Sequence, residues 1–220
     1  GLVERELSNW REAGMPKRLL RQIHLGGGSP NFLSAEQTAR LGEIVRSFFD
    51  IADGCEFSAE LDPRTLTPEK VEAFAKIGVN RASIGVQDTD EKVQKAINRV
   101  QPQSRNLEAV EWLRANGILS INVDLIYGLP LQTRESFKNT LSDALGLKPA
   151  RIALFGYAHV PWVKPAQKSL EKCGIPTSDE KAELFILGKR TFEEAGYEFI
   201  GLDHFAKPVS YTHLRAHETT

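Results

Sequence analysis

The sequence predicts an α/β protein built as a partial (β/α) barrel, with parallel strands inside and helices outside. Short apolar runs of strand character alternate with single amphipathic helical runs. Strands separated in this way cannot pair through hairpins, so they imply parallel neighbours joined by right-handed crossovers. The strand-like runs also end, one after another, on glycine or polar residues, which is the edge where such folds bind ligands. A doubly wound open sheet shares the first property. It gathers its ligand at one crevice, however, and polar groups at the ends of several strands suit a barrel mouth better.

The elements follow in order. Leu2, Val3, Leu7 and Trp10 recur at helical spacing from the first residues. With no initiator Met, this is read as a helix cut at its start in a chain that continues upstream. Gln22–Leu25 is a strand running into Gly26-Gly27-Gly28. Ser34, with Gln37 three residues on, caps a helix whose face carries Leu41, Ile44, Val45 and Phe48. Glu56–Leu61 is the next strand, stopped by Asp62-Pro63. Thr67-Pro68 starts a helix bearing Val71, Phe74 and Ile77, and Gly78 ends it. Arg81–Val86 is a third strand, followed by helices near Asp90–Ile97 and Leu107–Ala115. Ile121–Tyr127 is a fourth strand, and Thr133 caps a helix to about Leu145. Arg151–Tyr157 is a fifth strand, and a long helix runs from Asp179 to Ala195. Phe199-Ile200-Gly201-Leu202 closes the series as a strand. Residues 209–220 have neither periodicity nor turn logic, and they are expected to be a non-native or disordered tail outside the 1–208 barrel fragment.

Composition narrows the function. A chain of 220 residues with 41% hydrophobic content builds one core. A net charge of −1 and a pI near 6.6 give no reason to expect nucleic acid or an anionic membrane. No apolar run reaches the roughly 20 residues of a bilayer span, and the charged start is no secretory signal. Cys55 and Cys173 are too far apart for a local metal motif and too few for a disulfide scaffold, so both are expected to pack rather than react. A cytoplasmic monomer is the expected state.

Chemistry is expected where the strands end. Three consecutive glycines let a ligand approach the backbone and leave N–H groups open to a carboxylate or phosphate. The segment also reads as a tight turn, and Pro30-Asn31-Phe32 rules out the dinucleotide fingerprint. Glu60 and Asp124 are acids among apolar strand neighbours, placed either to bind amino and hydroxyl groups or to form an internal ion pair. Gln87 and Arg99 are individually uninformative, an arginine at a helix end being usually solvated. His159 and His204 follow apparent strands; as single histidines they read first as hydrogen-bonded loop or core residues. His213 and His217 share helical spacing but lie in the suspect tail.

The combination is more specific than its parts. In order along the chain stand His24-Leu25-Gly26-Gly27-Gly28-Ser29-Pro30, Glu60-Leu61-Asp62-Pro63, Ser83-Ile84-Gly85-Val86-Gln87-Asp88, Asn98-Arg99 and Asn122-Val123-Asp124-Leu125-Ile126-Tyr127-Gly128-Leu129-Pro130. Together they closely resemble the oxygen-independent coproporphyrinogen III oxidases of the radical S-adenosylmethionine superfamily. Tyr157-Ala158-His159-Val160-Pro161 and Gly201-Leu202-Asp203-His204-Phe205-Ala206-Lys207-Pro208 extend the match.

The resemblance implies a barrel of six βα units whose 4Fe-4S cluster reduces S-adenosylmethionine to a 5′-deoxyadenosyl radical. That radical takes hydrogen from a propionate arm of coproporphyrinogen III, which loses carbon dioxide and becomes a vinyl group. Two arms react, giving protoporphyrinogen IX, with an electron donor feeding the cluster. Two S-adenosylmethionine molecules are implied. Gly27, Glu60 and Ala158 would meet the first, and Gly28, Ser29, Gln87, Arg99 and Asp124 the second. The family's cluster ligands form a CxxxCxxC motif upstream, which this chain lacks. The polypeptide as given is therefore expected to be inactive although its parent is an enzyme. A haem-binding chaperone with the same barrel is the alternative, and the Gln87-Asp88 and Tyr157–His159 segments favour the oxidase branch. A sugar-phosphate barrel would need a phosphate loop near the last strands, where Asp203 stands instead.

Overall fold

A computed structural model describes residues 1–208; the expected tail at 209–220, with His213 and His217, lies outside the described residues. The elements are α1 (Leu2–Glu12), β1 (Leu19–Leu25), α2 (Ala35–Phe48), β2 (Asp50–Leu61), α3 (Pro68–Ile77), β3 (Arg81–Gln87), α4 (Glu91–Ala96), α5 (Gln103–Ala115), β4 (Ser120–Tyr127), α6 (Arg134–Gly146), β5 (Arg151–Gly156), α7 (Ser178–Glu194), β6 (Glu198–Gly201) and β7 (His204–Ala206). Two 3₁₀ segments, Pro30–Phe32 and Pro165–Cys173, sit in the loops after β1 and β5.

One sheet has the order β1-β2-β3-β4-β5-β7-β6, and β1 to β5 are parallel. Through β5 the order follows the chain without reversal, so the parallel part of the sheet has no switch point. Successive right-handed crossovers then place the helices on one face of a curving sheet, which is the partial barrel and not the doubly wound alternative.

The local signals act as expected. Ser34 Oγ accepts from the Gln37 amide at 3.1 Å while Gln37 Oε1 accepts from the Ser34 amide at 2.9 Å. Thr67 accepts from the Lys70 amide ahead of Pro68, and Gly78 ends α3 at a φ of 106°. β2 is longer than the sequence suggests. Its first residues pair with Leu19 and Leu20, and the register then jumps from Leu20↔Ile51 to Gln22↔Glu56 through an excursion containing Gly54.

The strands alternate sharply. Phe57, Ala59 and Leu61, then Ala82, Ile84 and Val86, then Ile121, Val123 and Leu125 are buried in one core with Val71, Phe74, Leu113, Phe137, Leu141 and Phe192 from the helices. Each large apolar side chain so removed from water contributes roughly 1.5–3 kcal/mol. The intervening residues face the concave side.

A strand forms where Phe199–Leu202 is expected to close the series, but it is not the last and does not join the parallel set. β6 ends at Gly201, Leu202 and Asp203 form a two-residue turn with φ of 46° and 65°, and β7 returns antiparallel to both β6 and β5. Positive φ at both turn positions matches the twist of a hairpin, and two residues are too few for a parallel crossover. α1 forms where the spacing of Leu2, Val3, Leu7 and Trp10 predicts a helix, although no residue of it is buried and Leu2 is 81% exposed.

Candidate functional site

The strand ends position the site. Gly26 follows β1 directly, and a Cβ there would stand 2.5 Å from His24 Nε2 and 3.0 Å from the Glu60 carboxyl. Only glycine lets those two side chains lie across the turn. Gly27 then takes a φ of 82°, which glycine adopts without strain. Gly85 works similarly in β3, since an added Cβ would meet Gln87 Nε2 at 2.6 Å and an Arg99 nitrogen at 3.2 Å.

Two non-glycine residues with positive φ aim the side chains. The β3–β4 register shifts between Gly85 and Gln87, where Gln87 has a φ of 67°. Asn98, with a φ of 54°, reverses the chain after α4. Asparagine tolerates this conformation better than most residues. The reversal carries Arg99 back over β3, where its guanidinium donates to the Gly85 carbonyl at 2.9 Å and meets Asp62 Oδ1 at 3.5 Å. Arg99 is therefore held inside the mouth and is not the solvated helix-end arginine that its local sequence suggests. Burial lowers its pKa, against the raising pull of Asp62.

A hollow of about 270 Å³ results, lined by Gly28, Ser29, Glu60, Asp62, Ser83, Gly85, Gln87, Arg99 and Asp124. Six predicted residues, Gly28, Ser29, Glu60, Gln87, Arg99 and Asp124, thus share one mouth. Gly27 sits in the same turn without lining the hollow. Ala158 lies in the loop beyond β5, where its carbonyl accepts from Gln167 Nε2 at 3.1 Å, and it lines neither this hollow nor the deeper one.

Two side-chain donors hold Asp124. Ser83 Oγ donates to its Oδ2 at 2.9 Å, and Asn122 Nδ2 to its Oδ1 at 2.7 Å. Burial pushes its carboxyl upward; the Ser83 and Asn122 hydrogen bonds pull back, Glu60 adds to the rise and His204 opposes it. Asp62 ends below its ordinary 3.8. Burial drives it up, but the side-chain and backbone hydrogen bonds from Arg64 and the charges of Arg99 and Arg64 outweigh that. Glu60 is more open, with His24 Nε2 at 3.3 Å, while His24 Nδ1 meets Ser58 Oγ at 2.8 Å.

Several residues were not singled out from the sequence. His24, Glu56, Ser58, Arg81, Ser83, Asn122 and Arg151, together with the already noted His204, line a deeper hollow on the concave face that continues from the mouth. The signal was present, because Glu56–Leu61 and Arg81–Gln87 alternate polar and apolar at a period of two. A wholly buried parallel strand would read as a continuous apolar run. His204 also departs from a bland loop role, packing edge-on to Phe155 with ring centroids 5.8 Å apart. Asp88, next to Gln87, is structural: it accepts from Gln132 Nε2 at 2.6 Å and from Thr140 Oγ1 at 3.1 Å. His159 is a loop residue, meeting Tyr157 Oη at 3.3 Å and Glu171 Oε1 at 3.2 Å. Cys55 is buried, as expected, whereas Cys173 is only half-buried.

Groups that could hold a cofactor are present for one kind and not another. Arg99 Nε and Asn122 Oδ1 are buried without a hydrogen-bond partner, one a donor and one an acceptor at the edge of the hollow. With open glycine amides and two acids, they fit a zwitterionic amino acid bearing hydroxyls. Among the described residues no group of three or more His, Cys, Asp or Glu is placed to hold a metal ion. These residues do not themselves fit an iron–sulfur cluster. Among the same residues no helix is long and apolar enough to cross a membrane.

Comparison with known proteins agrees with this geometry. The profile described as the radical SAM superfamily matches residues 4–144. The chain is 45% identical over 187 residues to anaerobic coproporphyrinogen III oxidase 1 of Cereibacter sphaeroides, covering 85% of this chain and 41% of that protein. It is 42% identical over 213 residues to the oxygen-independent coproporphyrinogen III oxidase of Helicobacter pylori, covering 96% and 47%. The solved structure of Escherichia coli coproporphyrinogen III oxidase, described as a radical SAM enzyme, superposes with a TM-score of 0.91 at 35% identity, covering 98% of this chain and 50% of that one. The chain thus spans half or less of the length of each of these relatives. A profile match over 141 of 220 residues, together with the partial barrel and its glycine-edged mouth, makes this chain a member of the radical SAM superfamily.

Proposed function

We propose that the chain forms the S-adenosylmethionine-binding and substrate-facing part of an oxygen-independent coproporphyrinogen III oxidase, an enzyme of porphyrin biosynthesis. The observation that carries this is the convergence of Gly28, Ser29, Glu60, Gln87, Arg99 and Asp124, drawn from four strand ends and one helix end, on one hollow. The relatives' names supply the substrate, and all three named above are coproporphyrinogen III oxidases.

S-adenosylmethionine bound there would supply a carbon radical able to take hydrogen from an unactivated C–H bond. The residues of this chain bind and orient. The Gly27-Gly28 amides and the Arg99 guanidinium attract an amino-acid carboxylate. Glu60 and Asp124 accept from an ammonium or from ribose hydroxyls, and Gln87 offers both a donor and an acceptor. His24 fixes the Glu60 carboxylate through a ring nitrogen, and Ser83 with Asn122 does the same for Asp124. Geometry held this way converts binding into reactive alignment. The same reading takes two S-adenosylmethionine molecules, an external electron donor, a cluster held by upstream cysteines, a cytoplasmic location, and a monomer that engages neither nucleic acid nor membrane.

Isothermal titration of this chain with S-adenosylmethionine tests the reading. Saturable binding near two equivalents is expected, and Glu60→Ala, Arg99→Ala and Asp124→Ala each weaken it by roughly tenfold, the scale of one charge-assisted hydrogen bond. No binding by the folded chain, or binding indifferent to all three changes, overturns it.

A further inference from the structure

Below the mouth, the concave face opens into a hollow of about 480 Å³ that shares Glu60, Ser83 and Asp124 with it. Phe155 and His204 both line this space, and their rings meet edge-on with centroids 5.8 Å apart.

His204 reaches the hollow from an unusual turn. Leu202 and Asp203 join β6 to β7 with φ of 46° and 65°, a conformation that glycine or asparagine normally supplies. Leu202 is 91% exposed, so burial of its own side chain does not hold it there. Hydrogen bonds do. The Leu154 amide donates to the Asp203 carbonyl at 2.8 Å, and His204 Nδ1 meets the Leu202 carbonyl at 2.5 Å. Backbone strain of this kind persists only where the surroundings over-determine it, and it gathers at ligand sites.

The same contact fixes the imidazole. A carbonyl oxygen can only accept, so Nδ1 carries the proton, and in the neutral ring Nε2 is left as an acceptor. Among the described residues Nε2 has no hydrogen-bond partner. The acids of the same hollow already hold partners, Glu60 with His24 and Asp124 with Ser83 and Asn122. His204 therefore offers an unused acceptor beside an aromatic wall.

We propose that His204 Nε2 accepts a hydrogen bond from a pyrrole N–H of the substrate and so selects a reduced tetrapyrrole over its oxidised form. The inference rests on the oxidase reading, which supplies the tetrapyrrole, and it adds the residue that senses the oxidation level of that ring. A porphyrinogen carries an N–H on every pyrrole, and its saturated bridges let each ring tilt and turn that N–H outward. A porphyrin is planar, and its remaining N–H groups point into the centre of the macrocycle, beyond the reach of a side chain. Phe155 gives the tilted pyrrole an aromatic surface to pack on.

The test is anaerobic titration calorimetry of this chain with coproporphyrinogen III and with coproporphyrin III, which carry the same carboxylate arms. The wild-type chain is expected to bind the reduced macrocycle more tightly. His204→Asn keeps a donor for the Leu202 carbonyl but has nothing at the position of Nε2, and it is expected to cut that preference about tenfold. His204→Gln carries an acceptor out to that position and is expected to keep most of the preference. Nitrogen NMR of the wild-type chain with labelled histidines needs no variant, so the proposal stays decidable if one fails to fold. The His204 Nε2 resonance is expected to shift on adding the porphyrinogen and to stay in place on adding the porphyrin. Equal wild-type affinity for the two macrocycles, an unaltered preference in His204→Asn, or an Nε2 resonance indifferent to the porphyrinogen overturns the His204 contact and leaves the oxidase reading standing. Failure of the wild-type chain to bind either macrocycle overturns both.

Discussion

Asp124 and Asp62 line the same mouth but titrate in opposite directions. For Asp124 burial dominates, so its folded-state pKa lies above the unfolded value. The ionised form then costs stability near neutrality, and that cost is relieved as pH falls through the folded pKa. Asp124→Asn is expected to leave apo stability unchanged or raise it by up to about 1 kcal/mol while weakening S-adenosylmethionine binding, the trade common at binding sites. Thermal unfolding and titration of the same sample check both halves. Asp62 has the opposite sign. Its depressed pKa contributes stability that is present above the ordinary 3.8 and lost as pH falls through the lower folded value. Asp62→Asn is expected to cost roughly 1–3 kcal/mol at neutral pH, from its broken bonds with Arg64 and Arg99, and to flatten the acid limb of an unfolding curve below about pH 4. An unchanged acid limb in the variant would remove Asp62 from that account.

Among the elements, the α2–α3 contact shows how packing overrides propensity. Gly42 lies inside α2, where alanine would ordinarily favour the helix by about 1 kcal/mol. A Cβ there would stand 2.5 Å and 2.8 Å from two Ile77 carbons of α3. Gly42→Ala is therefore expected to destabilise by roughly 1–3 kcal/mol, as overpacking does. Chemical denaturation would show a lower midpoint at constant slope. A rise would mean that α3 shifts freely. The helices and the parallel strands were legible because caps and periodicity are local: Ser34 with Gln37, Thr67 with Pro68, Gly78, and the runs ending at Leu61 and Tyr127. The closing hairpin was not. Leu202-Asp203 is no usual two-residue turn sequence, since positive φ normally calls for Gly or Asn, and β7 is only three residues long. What holds it is tertiary: Phe205 is buried against Phe192 and Phe199, with centroids 5.1 Å apart in both pairs.

At the scale of the molecule, burial is concentrated in the middle of the sheet. β3 and β4 are paired on both sides and bury every second side chain, whereas α1 and Pro165–Cys173 contain no buried residue. Native-state hydrogen exchange is expected to be slowest in β3 and β4, approaching global unfolding, and fastest in α1 and Pro165–Cys173. Equal protection across these segments would contradict the single-core account. The concave polar face belongs to this scale too. Arg81, Asn122 and Arg151 look unremarkable one at a time and line one hollow only because the curved parallel sheet brings β3, β4 and β5 together.

The sequence alone determined where strands end, which helices begin and stop, and which glycines and acids stand at the strand tips, because these depend on neighbours within a few positions. Its ordered motifs also pointed to the family. Only the tertiary structure decided that Arg99 folds back over Gly85, that Ala158 stays outside the mouth, that β7 intervenes between β5 and β6, and that Arg81 and Arg151 line one hollow. Those outcomes depend on curvature, register and long-range packing, in which residues tens of positions apart share one space and no local pattern records the meeting.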